Sequence, residues 1–472
     1  MVSNKKKMIL ILSIALVAVI LAAVGTSYAL FKYKIVDGDK FKVLTGNLEL
    51  SLSDNAPNAQ IVVDGLLPMK EATGMQQQPY TFTLTNTGTL NSVYTIYIDN
   101  IIPENETKER IPDSLMKANL HNITNDKSYA IDLDGSRILE TSMLEPGESN
   151  EYELRLWLDE NATSDEQGKY YAVKIRIDGV QDNAVKPLNE LILGLNKVNS
   201  SEPSIDSSSK IASENGLYKV SVTDGFGGQD GDTYVFRGNG VNNYVSFAGY
   251  LWRIVRINED GTTRLMLEEG ISDNYTFYSE EGPTYNGYYS NSTIAKPLVD
   301  TWYQDNIVKL GYDNEVAEGN YFCQQAKVMW ENNQIISSPV GTADMVYKED
   351  YVPSLTCLTD NNGYGLLNGK VGLITYDEVV YAGGNFPFEY SIMDFYMMTD
   401  EDHTFTMSNG GYDDTNQVSW LLHSDGRLET CPLGSDVICK SSLRPVINLK
   451  TTTKVWGHGT LADPYKVVID TN

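Results

Sequence analysis

From Phe31 to about Asp182, apolar and polar residues alternate with a period of two. Asn47-Leu48-Glu49-Leu50-Ser51-Leu52, Tyr80-Thr81-Phe82-Thr83-Leu84-Thr85, Val93-Tyr94-Thr95-Ile96-Tyr97-Ile98, the run Glu151 to Leu158 and the run Tyr171 to Ile177 follow this pattern. Each sets one side of a strand on a core and the other in water. Asn86-Thr87-Gly88 and Pro146-Gly147 supply turns between them. Short strands punctuated in this way predict an antiparallel sandwich. His121 reads as a loop histidine, and no cluster with metal-ligand spacing accompanies it.

The pattern changes at about Asn183. Leu188, Leu191, Ile192 and Leu195 predict a short amphipathic helix, and the Ser-rich stretch Asn199 to Ser209 follows as a linker. The division expected is therefore residues 1–29 as an export signal, 30–182 as the sandwich, 183–215 as helix and linker, and 216–472 as a second domain. In that second domain, Leu251 to Ile257 and Arg264 to Leu267 flank Asn258-Glu259-Asp260-Gly261. The Asp-Gly pair marks a hairpin. Ala295 to Ile307 has helical spacing at Leu298, Val299, Trp302 and Ile307. Thr375-Tyr376-Asp377-Glu378 has the form of a capping box, with Gly383-Gly384 as the stop. Two helices among many short strands make this half α+β. Trp252, Trp302 and Trp420 lie in patterned elements and read as core.

Composition narrows the function. The 472 residues carry 36 Lys+Arg against 63 Asp+Glu, a net charge of −27. So acidic a chain repels phosphate backbones, which excludes nucleic acid as a partner. Lys5, Lys6 and Lys7 precede the apolar run Met8 to Val24, and Ser27-Tyr28-Ala29 follows. This is the form of a secretory signal cleaved between Ala29 and Leu30, with Ser27 and Ala29 as the small residues; an uncleaved anchor is the alternative. Removing it leaves 33 basic and 63 acidic residues, a charge of −30. The membrane is then met only before cleavage. With no C-terminal sorting motif in view, attachment is expected to be non-covalent or through polymerisation. The four cysteines, Cys323, Cys357, Cys431 and Cys439, read as disulfides in an exported chain. Three connectivities are open, and proximity favours Cys323 with Cys357 and Cys431 with Cys439.

Two resemblances rest on these residues. Ser27-Tyr28-Ala29-Leu30-Phe31, Thr45-Gly46-Asn47-Leu48-Glu49-Leu50 and Thr83-Leu84-Thr85-Asn86-Thr87-Gly88 resemble the TasA/camelysin family of exported matrix proteins. The resemblance implies a dedicated signal peptidase, a jelly-roll sandwich, and head-to-tail fibres in which a freed N-terminal segment completes a sheet of the next copy. Here the donor strand would be Leu30 to Val43, with Phe31, Tyr33 and Ile35 alternating along it. No His-Glu-x-x-His is present, so the zinc-protease activity ascribed to camelysin is not expected.

The second half resembles a C-type-lectin-like domain of Gram-positive surface proteins, related to the formylglycine-generating enzyme fold. Asn243 to Gly249, Trp252 to Ile257, Val371 to Val379, Arg444 to Lys450 and Gly457-His458-Gly459-Thr460 carry this resemblance. It implies ligand display from loops. Tyr285, Tyr288 and Tyr289, and Tyr412, Asp413, Asp414 and Asn416, have side chains suited to a glycan or a surface protein. Aromatic faces stack on sugar rings, and carboxylates and amides bind hydroxyls or calcium. The Glu-Pro-Asn and Gln-Pro-Asp triplets of calcium-dependent lectins are missing. No cofactor is expected, calcium being the one ion these loops could take. The Gly-rich stretch Asp224 to Asp232 lacks EF-hand spacing and reads as a hairpin.

The expectation is a mainly β, non-enzymatic surface or extracellular-matrix protein of biofilm type. Its jelly roll polymerises, and its lectin-like α+β half is displayed. The rivals are an adhesin that uses the first half as a stalk, and an oxidase of the formylglycine-generating kind acting through Cys431 and Cys439.

Overall fold

The structure, a computed structural model, describes residues 32–35, 50–54, 60–64 and 66–469. From that last range 105, 132, 134–136, 204–214, 226–228, 272–274, 277–294, 324–328, 332–333, 338–352, 358–365, 385–394, 399–403, 414–415, 425 and 433–439 are excepted. The chain is mainly β. It divides into two units, one running to Val185 and including Val468–Asn472, the other spanning Lys186–Val467.

The first unit is a sandwich of two sheets. Its strands are β1 (Lys32–Ile35), β2 (Leu50–Asp54), β3 (Gln60–Asp64), β4 (Pro68–Met69), β5 (Tyr80–Asn86), β6 (Ser92–Asn100), β7 (Met116–Asn122), β8 (Lys127–Ile131), β9 (Ile138–Leu144), β10 (Ser149–Asp159) and β11 (Tyr170–Gln181). One sheet has the order β1-β11-β6-β9 with β3 also on β11. The other has β2-β5-β10-β7-β8 with β4 on β10. In β5 buried and part-exposed positions alternate without a break, because one face meets the opposite sheet and the other meets water. Leu84, Leu120, Leu154, Ile96 and Ile177 fill the space between the sheets. The turns behave as the sequence implies. Gly88 N–H donates to Asn86 Oδ1 at 3.0 Å, and Gly147 takes a φ of +85°. His121 is not in a loop; it lies on β7, with Nε2 3.2 Å from Asp126.

The second unit is built on an eleven-stranded sheet. At its centre Tyr250–Ile257 pairs with Tyr244–Phe247, Gly231–Arg237 and Thr263–Leu267. Val446–Leu449 pairs on the far side of Thr263–Leu267. The turn between Tyr244–Phe247 and Tyr250–Ile257 is Ala248-Gly249, with φ of +55° and +80°. Positive φ at both central residues matches the right-handed twist of the strands it joins. The Asp260-Gly261 turn also forms, Gly261 having φ +83° and Asn258 N–H reaching Thr262 O at 2.8 Å.

Both expected helices are present. Ala295–Tyr303 continues into a wider turn over Gln304–Val308, and Tyr376–Ala382 starts at a complete capping box and stops at Gly383, φ +124°. Trp252 and Trp420 are buried, while Trp302 is part-exposed and meets Trp252 edge-on at 6.0 Å.

The segment read as helix and linker belongs in part to this unit. Lys186–Pro187 pairs with Lys454–Trp456, and the helix Leu188–Leu195 buries Leu188, Leu191 and Ile192. Val198–Asn199 lies parallel to Leu217–Tyr218. The boundary between units accordingly falls between Val185 and Lys186. Among the described residues, no helix is long and apolar enough to cross a membrane.

Candidate functional site

Two short strands in tandem close one edge of the five-stranded sheet. β3 covers Tyr170 to Lys174 of β11, and β1 covers Ile177 to Val180, pairing Lys32 with Val180, Tyr33 with Gly179, Lys34 with Asp178 and Ile35 with Ile177. Both run antiparallel to β11. β11 is rigidly held on its other side by nine residue pairs with β6, running from Val173↔Asn100 to Gln181↔Ser92. Arg176 braces it on the surface, donating to Asp99 at 2.8 Å and Asp178 at 2.6 Å with its guanidinium over the Tyr97 ring. Gly179 faces Tyr33 in register, and a Cβ on it would come within 2.8 Å of Leu50 Cδ1. This stretch of β11 is therefore held from one side by β6, and a four-residue strand pairs along the other. At the opposite edge of the sheet, Ile469 N–H reaches Thr141 O of β9 at 3.4 Å. Unpaired strand edges recruit other strands; here β1 and β3 pair along one edge, and Ile469 meets the other at a single point.

The second unit holds a buried ionic cluster that the sequence reading missed. Arg256 and Arg264, on paired strands, and Glu378, on the helix Tyr376–Ala382, have fully buried side chains. Arg256 Nε donates to Glu378 Oε1 and Arg264 Nη2 to Glu378 Oε2, each at 3.2 Å. Glu378 Oε2 also accepts from the Thr375 N–H at 3.0 Å, so one carboxylate serves both the cap and the core. Burial alone would raise this carboxyl; the guanidiniums of Arg264 and Arg256 outweigh it and hold the group below the usual carboxylate range.

Glu259 brings a second carboxylate to the cluster, 3.9 Å from Arg256 Nη1. It lies against Gly225 and Gly231, where any Cβ would collide with it. Burial raises its carboxyl despite Arg256. A separate pair of buried arginines, Arg253 and Arg444, shares Glu268, and Arg253 also stacks on Tyr244 at 3.8 Å. In the sequence, Leu251 to Ile257 reads only as one arm of a hairpin, with no account of its two arginines. The strand is buried on both faces, and arginine on each face was the overlooked signal. In each cluster buried guanidiniums are cross-braced by carboxylates from elsewhere in the chain, an arrangement suited to rigidity. Among the described residues no group of three or more His, Cys, Asp or Glu could hold a metal ion.

The nominated residues are distributed as follows. Tyr33 and Ile35 lie in β1, whereas Ser27, Ala29, Leu30 and Phe31 lie outside the described residues. Cys323 and Cys357 form a disulfide. Cys431 lies in the strand Leu428–Pro432 opposite Ser419, and Cys439 lies outside the described residues. Tyr285, Tyr288, Tyr289 and Asp414 also lie outside them. Tyr412 and Asp413 end the strand Thr404–Asp413 and Asn416 opens the strand Asn416–Leu422, so the backbone there is a hairpin.

No family model, no curated protein and no solved structure matches this chain.

Proposed function

We propose that this chain is an exported structural and adhesive protein of the cell surface or extracellular matrix. Copies join when β1 of one replaces β1 of the next, and the second unit is carried along as the part that meets a glycan or surface protein. The observation that carries this reading is the pairing of Lys32–Ile35 with Ile177–Val180 at a sheet edge. So short a strand contributes only a few backbone hydrogen bonds, each worth about 0.5–1.5 kcal/mol net, and leaves at little cost. A strand from another copy restores the same bonds, which makes exchange a low-cost route to assembly. The buried ionic cluster and the Cys323–Cys357 disulfide suit a displayed unit that must keep its shape outside the cell.

Light scattering and negative-stain microscopy on Leu30 to Asn472, beside a chain lacking Leu30 to Val43, test the reading. Concentration-dependent oligomers that the deletion abolishes support it. A monomer at every concentration leaves the rival in which the first unit is a stalk, a state the pairing of β1 within its own chain also satisfies. The oxidase rival requires Cys431 and Cys439 as reactive thiols, and mass spectrometry finding them joined in a stable disulfide removes it.

A further inference from the structure

Glu140 is a carboxylic acid set between the two sheets of the first unit. It lies on β9, is 6% exposed, and reaches Asn122 of β7, whose Nδ2 is 3.3 Å from Oε1. Its second oxygen, Oε2, is buried with no hydrogen-bond partner. Around it, Tyr94 of β6 and Tyr152 of β10 join hydroxyl to hydroxyl at 2.5 Å, and Asn150 Nδ2 donates to Tyr94 Oη at 2.8 Å. These tyrosines are the titratable groups that face it, and Lys127 of β8 is the charged one, acting without ion-pair contact. Asn122, Asn150 and Ser142 are neutral. Among the described residues no cation is in ion-pair contact to compensate an ionised Glu140.

We propose that Glu140 is a proton-operated latch of the sandwich: protonated, it lets β9 close the five-stranded sheet over its partner; ionised, it loosens β9 from that seat. A carboxylate in such a place has lost its water and gained only neutral partners, the Tyr152 hydroxyl and the Asn122 amide, an exchange that favours the neutral acid. Burial pushes this carboxyl up to about 7, and hydrogen bonds from Tyr152 and Asn122 and the charge on Lys127 offset only part of that rise. The sign follows from the direction. A carboxyl raised from 4.5 in the unfolded chain stabilises the fold fully below that value, and the contribution is lost as pH climbs to about 7. Across that window the folding equilibrium constant should fall by roughly a few hundred-fold. The strand affected is the one whose outer edge Ile469 covers at Thr141, next to Glu140 in sequence.

Hydrogen exchange on the full chain at about pH 5 and about pH 8.5, corrected for intrinsic rates, reads the latch directly. The β9 amides of the wild type should open far more often at the higher pH, and Glu140→Gln, which cannot ionise, should remove the difference. Equal pH dependence in both proteins overturns the proposal. Infrared spectroscopy gives an answer that does not depend on the Gln variant folding. In a Glu259→Gln background, which removes the other carboxyl raised by burial among the described residues, a protonated-carboxyl band should persist at about pH 6 and be absent when Glu140→Gln is added. Its absence from the Glu259→Gln protein at that pH overturns the proposal equally.

Discussion

Arg256 Nε meets Glu378 Oε1 at 3.2 Å with both side chains fully buried, although 122 residues separate them in sequence. The helix that carries Glu378 is thereby fixed to the centre of the large sheet by charge as well as by packing.

Removing that carboxylate should be costly. Glu378→Gln leaves Arg256 and Arg264 under-compensated in a dry interior, and the second unit should lose about 3–5 kcal/mol in denaturant unfolding. Thr375→Ala removes the cap's hydroxyl and a buried methyl but no charge, and should cost about 1–2 kcal/mol. Because the arginines hold the Glu378 carboxyl below its ordinary range, its contribution is present above that range and lost as pH falls through the lowered value. The acid limb of the stability curve should flatten in Glu378→Gln. Equal losses from the two substitutions would show that the cluster adds nothing beyond a cap.

The Cys323–Cys357 disulfide joins two buried residues 34 positions apart. Closing a loop of that length restricts the unfolded chain by about 3–4 kcal/mol. Paired Cys323→Ala and Cys357→Ala substitutions should lower the thermal midpoint of the second unit accordingly, as followed by calorimetry, and an unchanged midpoint would count against the bridge as a staple.

Gly457 has a φ of +120°, and a Cβ there would stand 2.1 Å from the Pro464 carbonyl oxygen. Gly311, at φ +80°, has nothing within 4 Å of the same position. Alanine at Gly311 should therefore cost the backbone term alone, about 1–2 kcal/mol, whereas alanine at Gly457 should exceed it by a clear margin in the same unfolding measurement. Equal costs would mean that the approach of Pro464 has no energetic weight.

Local chemistry was legible in the sequence wherever neighbouring residues determine the outcome. Asp260-Gly261 turns as its residue types require, Thr375 and Glu378 close a capping box within four residues, and β5 alternates because only one of its faces is covered. What depends on distant partners was not legible. Arg253, Arg256 and Arg264 look like solvated positions until Glu268 and Glu378 are brought beside them. The helix Leu188–Leu195 was readable from its spacing, but its allegiance was not. Pro187 pairs with Lys454, and Leu188 N–H reaches Thr453 O, far along the chain. The segment Lys32–Ile35 was readable as alternation, and its register against Ile177 to Val180 of its own chain became visible only in the fold.

Assembly through β1 is tested most directly by competition. The size distribution of Leu30 to Asn472 is measured by light scattering over a concentration series, alone and with an excess of a synthetic peptide spanning Leu30 to Val43. Oligomers that grow with concentration and shrink when the peptide occupies the edge at Ile177 to Val180 are the expected result. A monomer throughout, or oligomers indifferent to the peptide, would contradict strand exchange.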